Sequence, residues 1–197
     1  YVAKHHNKKV VLFMPASKKI SEHQACCIER GAIPIFERIA AMSILNQKAV
    51  EWANKNDGFF VPLGLRHELA TAGIVHAASK IEEPEEVYVA ISTGVLARAL
   101  QIALTKAKFM CVAVARNLKD GELGRADVIS DPLDFYVEEK QQPPFPTVKT
   151  YDAKVWKYIP KNTGRNILMR NVGADPKLTN SKIYDTINSY KDWDKNL

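Results

Sequence analysis

The apolar run Val87-Tyr88-Val89-Ala90-Ile91 breaks at Ser92-Thr93-Gly94 and continues as Val95-Leu96 into a helical stretch, an order of residues that could hold an anion. A continuous Val/Ile/Ala run is how a strand buried on both faces of a parallel sheet reads. A hydroxyl-and-glycine turn after such a strand leaves the first amide N–H groups of the next helix pointing outward, with the positive end of the helix dipole behind them. That is how a backbone builds a phosphate cradle. The same residues also allow an ordinary strand–turn–helix joint in which Ser92 or Thr93 only caps the helix. Local sequence leaves both readings open.

Other side chains of chemical interest are few. His67 lies in Gly64-Leu65-Arg66-His67-Glu68, just ahead of a helical stretch. It could carry a proton at neutral pH, and Arg66 beside it could bind a carboxylate; for both, the alternative is a surface residue at a helix start. Arg98 follows the turn within its first helical turns and could meet a phosphate or a solvent-facing carboxylate. His5, His6 and His23 are too scattered for a metal site. Cys26 and Cys27 are adjacent and Cys111 stands in an apolar run, which gives neither a disulfide framework nor metal spacing, so all three read as buried thiols.

Alternating strands and helices must position these groups. Strands are expected at Val10–Met14, Ile33–Phe36, Val87–Leu96 up to its glycine, Phe109–Val114 and Asn166–Met169. Helices are expected at Ser21–Arg30 with Gly31 as its stop, Met42–Asn56, Glu68–Ile81, Leu96–Lys106 and Asp152–Ile159. In the second of these, Ile44, Leu45, Ala49, Trp52 and Ala53 form one apolar stripe. Glu82 to Glu86 reads as a connector, and the Pro-rich stretch after Ala115 as a long ordered loop or lid. Tyr190 and Trp193 would dock the polar tail. The pattern is α/β with parallel sheets covered on both faces: a small β/α lobe over 1–56, a larger parallel-sheet lobe over 57–197, and a cleft between them.

With 197 residues, 46% hydrophobic and 25% charged, the chain has the composition of a folded globular protein. No apolar run reaches bilayer length and the start lacks the features of a signal peptide, which points to the cytoplasm. Tyr1 in place of a methionine, in what reads as the last turns of a helix, suggests a piece of a longer protein. The net charge of +6 is spread over many segments without interleaved aromatics, and this gives nucleic-acid binding little support.

Several segments, in order, resemble the fold-type II pyridoxal-phosphate enzymes, the tryptophan-synthase-β-like group, and within it the branch of D-cysteine desulfhydrase and aminocyclopropane-carboxylate deaminase. Phe60-Val61-Pro62-Leu63-Gly64 through Leu69, Gly73 and Ala77 is similar to that branch's strand, loop and helix. Val87 to Leu100 is similar to its phosphate-loop unit, Tyr151-Asp152-Ala153-Lys154 to its late tyrosine–acid–small–lysine element, and Asn166 to Pro176 to its last strand and glycine turn. The resemblance implies a two-lobed, three-layer αβα fold, incomplete at its N-terminus, with pyridoxal 5'-phosphate as cofactor, an amino acid or amine as substrate, and a homodimer as assembly. By it, Ser92, Thr93, Gly94, Val95 and Leu96 bind the phosphate, Tyr151 stacks on the pyridine ring, Asp152 faces the ring nitrogen, Arg66 takes the substrate carboxylate and His67 lies on the substrate side.

The departures bear on chemistry. The family's Schiff-base lysine and its Ser-Asn loop belong to a segment ahead of the first helix here, and neither is located in this chain. The turn has one glycine where the family has several, and Val95 and Leu96 would crowd a phosphate. Val172 stands where a threonine is often found. For Tyr151 and Asp152 the alternative is a capped helix start. Three functional readings follow: a lyase or deaminase working by imine formation and Cα deprotonation or elimination; a degenerate homologue kept as a binding or structural module; and a phosphoribosyltransferase-like or nucleotide- or DNA-modifying enzyme. A phosphoribosyltransferase would place an acidic pair ahead of its loop, where Ala90-Ile91 stands; a nucleotide- or DNA-modifying enzyme is compatible with the basic balance, but nothing positive requires it.

Overall fold

The computed structural model describes residues 2–16, 20–38, 41–116, 118, 121–180, 182–185 and 187, so Tyr190 and Trp193 lie outside the described residues. The chain divides into two compact units, Tyr1–Val61 with Pro176–Leu197, and Pro62–Asp175. The tail, which the sequence reading assigns to the larger lobe, thus groups with the first unit. Among the described residues no helix is long and apolar enough to cross a membrane, and no group of three metal-ligating side chains forms.

The first unit begins with the short helix α1 (Val2–His5), followed by β1 (Val11–Pro15), α2 (Glu22–Glu29), β2 (Ile33–Glu37) and α3 (Met42–Lys55). β1 and β2 pair in parallel, with Phe13 opposite Ile35. α2 starts where the sequence sets it, because the Ser21 side chain accepts from the Gln24 amide while the Gln24 side chain accepts from the Ser21 amide. Its inner face, Ala25 and Ile28, meets Met14 together with Ile183 and Ile187 of the tail. Glu29 ties that tail down by accepting from the Thr179 backbone at 2.9 Å and its hydroxyl at 2.8 Å. On α3 the expected stripe holds at Leu45 and Ala53, both buried, but Trp52 is exposed.

The second unit carries every residue singled out above for anion, carboxylate or ring binding. A 3-10 turn (Leu63–Leu65) leads into α4 (Glu68–Ala78), β3 (Glu86–Ile91), α5 (Val95–Ala103), β4 (Lys108–Ala113), β5 (Asp127–Ser130), a 3-10 helix (Asp152–Tyr158) and β6 (Ile167–Arg170). The four strands form an all-parallel sheet in the order β5-β4-β3-β6. All six residues of β3 are buried, as a central parallel strand requires. Alternate side chains divide the core. Val87 packs with Leu100, Leu104 and Phe109 on the α4–α5 face, and Tyr88 and Ala90 pack with Val112, Val155 and Ile159 on the face of the 3-10 helix.

Two expectations change. β5 lies within what reads as loop, and the segment expected as a helix at Asp152–Ile159 is wound as a 3-10 helix. The loop between them is fastened by buried charge. Lys157 Nζ sits 2.8 Å from both Asp131 Oδ2 and Glu139 Oε2, and Tyr158 donates its hydroxyl to Asp131 at 3.1 Å. Lys154, fully buried, donates to the carbonyls of Leu133 at 3.3 Å and Asp134 at 2.8 Å. Burial alone would raise the Asp131 and Glu139 carboxyls; the Lys157 ammonium overrides it and holds both below the usual carboxylate range.

Replacing Lys157 leaves two buried carboxylates without their shared cation. Lys157→Met is expected to lower stability by about 3 kcal/mol near pH 7.5, read by urea unfolding. Because depressed carboxyls give stability that is lost as pH falls through their folded values, the deficit should shrink on acidification.

Candidate functional site

β3 delivers its C-terminal end to the turn Ser92-Thr93-Gly94, and the helix that follows begins in an unusual way. Its N-cap is Gly94, at φ +75°, and no side chain caps it. Neither Ser92 nor Thr93 fills that role, so the plain capped joint is not what the chain builds, and the first amides of α5 have no side-chain acceptor from the cap. Glycine is required at this point. A Cβ on Gly94 would lie 2.5 Å from Leu123 Cδ2 and 2.9 Å from Arg98 Nη1. A second glycine, Gly64 at φ +67°, faces the turn: its Cβ would lie 2.4 Å from Thr93 Oγ1.

Beside the turn is an open cavity of about 390 Å³. Arg66, His67, Glu68 and Thr71 form its wall at the start of α4; Thr93, Val95 and Arg98 form the wall at the start of α5, with Glu122 on the rim. Arg116 braces the turn by donating Nε to the Ser92 carbonyl at 3.0 Å while its guanidinium pairs with the Glu122 carboxylate. Among the described residues Arg98 reaches only the Glu122 backbone carbonyl, at 3.5 Å. The solvent-facing salt bridge that the sequence allows for Arg98 is therefore not formed with Glu122, whose carboxylate Arg116 holds.

Of the two apolar residues expected to crowd an anion, only Val95 lines the cavity. Leu96, one residue further round the helix, packs into the core clusters around Val87 and Val89. His67 is the N-cap of α4, its Nδ1 accepting from the Leu69 amide at 3.1 Å. An accepting Nδ1 carries no proton, so the neutral ring holds its proton on Nε2. Carrying a proton through Nδ1 would first require release of that amide. Arg66, exposed, stands next to it on the same wall.

Tyr151 and Asp152 do not line this cavity. They belong to the opposite face of the sheet, yet to the same end of it. β6 runs parallel to β3 with Arg170 opposite Val89, so the chain leaves β6 toward Val172 at the end where β3 gives way to Ser92. β3, β4 and β5 succeed one another in one direction, and β6 returns to the other side of β3. Such a reversal opens a crevice at the carboxyl ends of the strands, the usual ligand position in open parallel sheets.

Asp152 is 0% exposed, and neither of its carboxylate oxygens has a hydrogen-bond partner among the described residues. Burial pushes its pKa up to about 6, against a smaller pull from the nearby Val172 amide, which completes no hydrogen bond, and from Arg170. It does not cap the 3-10 helix, whose N-cap is Tyr151 with no side-chain bond. Tyr151, half-buried, makes an edge-to-face contact with Phe135 at 6.4 Å, and burial, then the Asp152 charge, pushes its hydroxyl up to about 12. Thr147, also buried, has a hydroxyl without a partner. Sequence reasoning missed Thr147, Arg116 and Glu122; nothing in their local spacing marks them.

No protein-family model and no curated protein matches the chain. Solved structures do. One described as an ACC deaminase homologue superposes with a TM-score of 0.71 at 14% identity, covering 96% of this chain and 72% of that one. The processed form of threonine deaminase isoform 2 from Solanum lycopersicum gives 0.58 at 10% identity, covering 95% and 68%. The chain has the fold-type II architecture. In fold-type II terms, the uncapped start of α5 and the 3-10 helix flank the switch point of one parallel sheet.

Two outcomes follow from this geometry. A charged Asp152 without partners costs about 3 kcal/mol at pH 8, the worth of a pKa raised by about two units. A raised carboxyl gives stability that is present at low pH and lost as pH rises through about 6. Asp152→Asn should therefore stabilise the protein at pH 8 and lose that advantage by pH 4, measured by thermal unfolding across the range. Gly94→Ala should cost about 2 kcal/mol through its positive φ and its clash with Leu123, read by urea unfolding.

Proposed function

We propose that this chain is a pyridoxal-phosphate-dependent protein of the deaminase or lyase kind, acting on an amino acid or amine. The observation that carries this reading is the buried, unpartnered Asp152 carboxylate at the switch point of the sheet. An isolated carboxylate in that position costs stability unless a cationic donor meets it, and a protonated pyridine nitrogen is such a donor. Donors suited to the phosphate of such a cofactor stand at the same end of the sheet. The uncapped amides of α5, the Thr93 hydroxyl and the Arg98 guanidinium supply donors for a phosphate. That both similar structures carry deaminase in their names agrees with this reading.

Each residue then has a task. Arg98 and the turn Ser92–Val95 hold the phosphate. Tyr151 offers its ring as a flat apolar face, and Asp152 keeps the ring nitrogen protonated. Arg66 takes the substrate carboxylate, and His67 stands beside it on the substrate side of the same wall. Pyridoxal phosphate bound here would supply an electron sink for charge developing at the substrate Cα.

Titration with pyridoxal phosphate, followed by tryptophan fluorescence and by thermal unfolding, tests the reading. Saturable binding with a rise in unfolding temperature is expected, about tenfold weaker in Arg98→Gln. An unfolding temperature unmoved by the cofactor, with no fluorescence change, would overturn it in favour of a fold kept as a binding or structural module.

A further inference from the structure

Arg116 has no task in the function proposed above, although its side chain holds the turn at the end of β3. Its Nε donates to the Ser92 carbonyl at 3.0 Å, its Nη1 donates to Glu122 Oε2 at 3.1 Å, and its Nη2 pairs with Glu122 Oε1. All three nitrogens of one planar guanidinium are engaged at once. Glu122 is in turn tied to the body of α5. Leu123 beside it is buried in one cluster with Val89, Ile91 and Ala97. The Leu123 carbonyl accepts from Gln101 Nε2 at 2.8 Å, while Gln101 Oε1 accepts from the Arg125 amide at 3.0 Å. Arg116 therefore bridges a segment anchored on α5 and the carbonyl just past the end of β3.

As a fastening this bridge is weak. Both side chains are partly in water, where an ion pair contributes little to stability. As a positioning device it is specific, because a rigid guanidinium fork meets both acceptors in one orientation only. The consequence falls on the next amide. The peptide between Ser92 and Thr93 is planar and trans, so its carbonyl and its N–H point in opposite directions. With the carbonyl held by Arg116, the Thr93 N–H is turned away from the guanidinium, and among the described residues it donates to no backbone carbonyl. Pairing with β4 does not set this peptide either, since it ends where Ile91 O accepts from the Val114 amide at 3.3 Å. Thr93 lines the cavity with Val95 and Arg98.

We infer that Arg116 is a positioning residue for anion binding at the turn over 92–95: it fixes the Ser92–Thr93 peptide so that the Thr93 amide is presented to the phosphate, and Glu122 fixes Arg116. This rests on the phosphate role given to the turn above and adds to it a pair of side chains that act through the backbone. Lysine at position 116 would keep the charge without the geometry, because a single ammonium cannot reproduce the fork that spans Ser92 and Glu122.

The test uses pyridoxine 5'-phosphate, which carries the phosphate but no aldehyde, so binding does not depend on any lysine; pyridoxine is its phosphate-free counterpart. Arg116→Lys, Arg116→Gln and the double variant Arg116→Gln with Glu122→Gln are titrated by tryptophan fluorescence, and their thermal unfolding is followed without ligand. All three are expected to bind the probe about five- to tenfold more weakly than the parent, with unfolding temperatures close to the parent's and no change toward pyridoxine. Arg116→Lys that binds as the parent does would overturn the proposal, because charge at position 116 would then suffice. A double variant restored to parental affinity would overturn it too, since the loss would then come from the unpaired Glu122 charge. So would a loss shared with pyridoxine, or one accompanied by a lowered unfolding temperature, the mark of a merely structural role. In each of these cases the parent binds and only the role of Arg116 falls. If the parent protein itself fails to bind the probe, the cofactor reading falls and this proposal with it.

Discussion

Strand β3 is covered on both faces and hydrogen-bonded along both edges, to β4 and to β6. A strand enclosed in this way cannot slip by a residue without moving its whole side-chain set to the wrong face. Its end is therefore a fixed point, and the turn Ser92–Gly94 inherits that position. The same enclosure sets where the other half of the site can be. With β4 and β5 on one side and β6 on the other, the chain after β6 has to emerge beside the chain after β3, and the turn bearing Thr147 and Asp152 packs against it.

The charges of the second unit serve this frame in two different ways. Some are spent in pairs that hold connections. Glu83 accepts from the amides that follow α5, Arg125 donates to the carbonyls at the end of α5, and Lys157 joins two carboxylates across the long loop. Others are left without such use: among the described residues neither Asp152 carboxylate oxygen has a hydrogen-bond partner, and Arg98 donates to a backbone carbonyl. These groups, which the fold positions without using them in its own connections, carry the function proposed above.

Much of the frame can be read from the chain because it depends on local pattern. The Val87–Ile91 run, the Ser21 cap and the glycine ending α2 each state their structure in a few neighbouring residues. What cannot be read depends on distant partners. Asp127–Ser130 is a short, half-exposed edge strand that exists only because β4 offers it hydrogen bonds. Seven residues of helical spacing do not separate a 3-10 helix from an α-helix. Histidine is not a common helix cap, so the engagement of His67 with Leu69 was hidden. Of the turn itself, the sequence shows that an anion could be held, but whether Val95 and Leu96 stand in the way depends on where α5 begins, and that is fixed by Gly94. Thr147 sits in a Pro-rich stretch with no periodicity to flag it; only the burial of its hydroxyl in three dimensions makes it visible.

The close approach of Gly64 to Thr93 has a mechanical consequence. With no room for even one carbon between them, the loop before α4 and the turn before α5 are interlocked surfaces, and a displacement of one has to be taken up by the other. The Thr93 side chain thus occupies the space that any larger residue at position 64 would need, so the loop before α4 and the turn before α5 constrain each other's choice of residue although they are far apart along the chain.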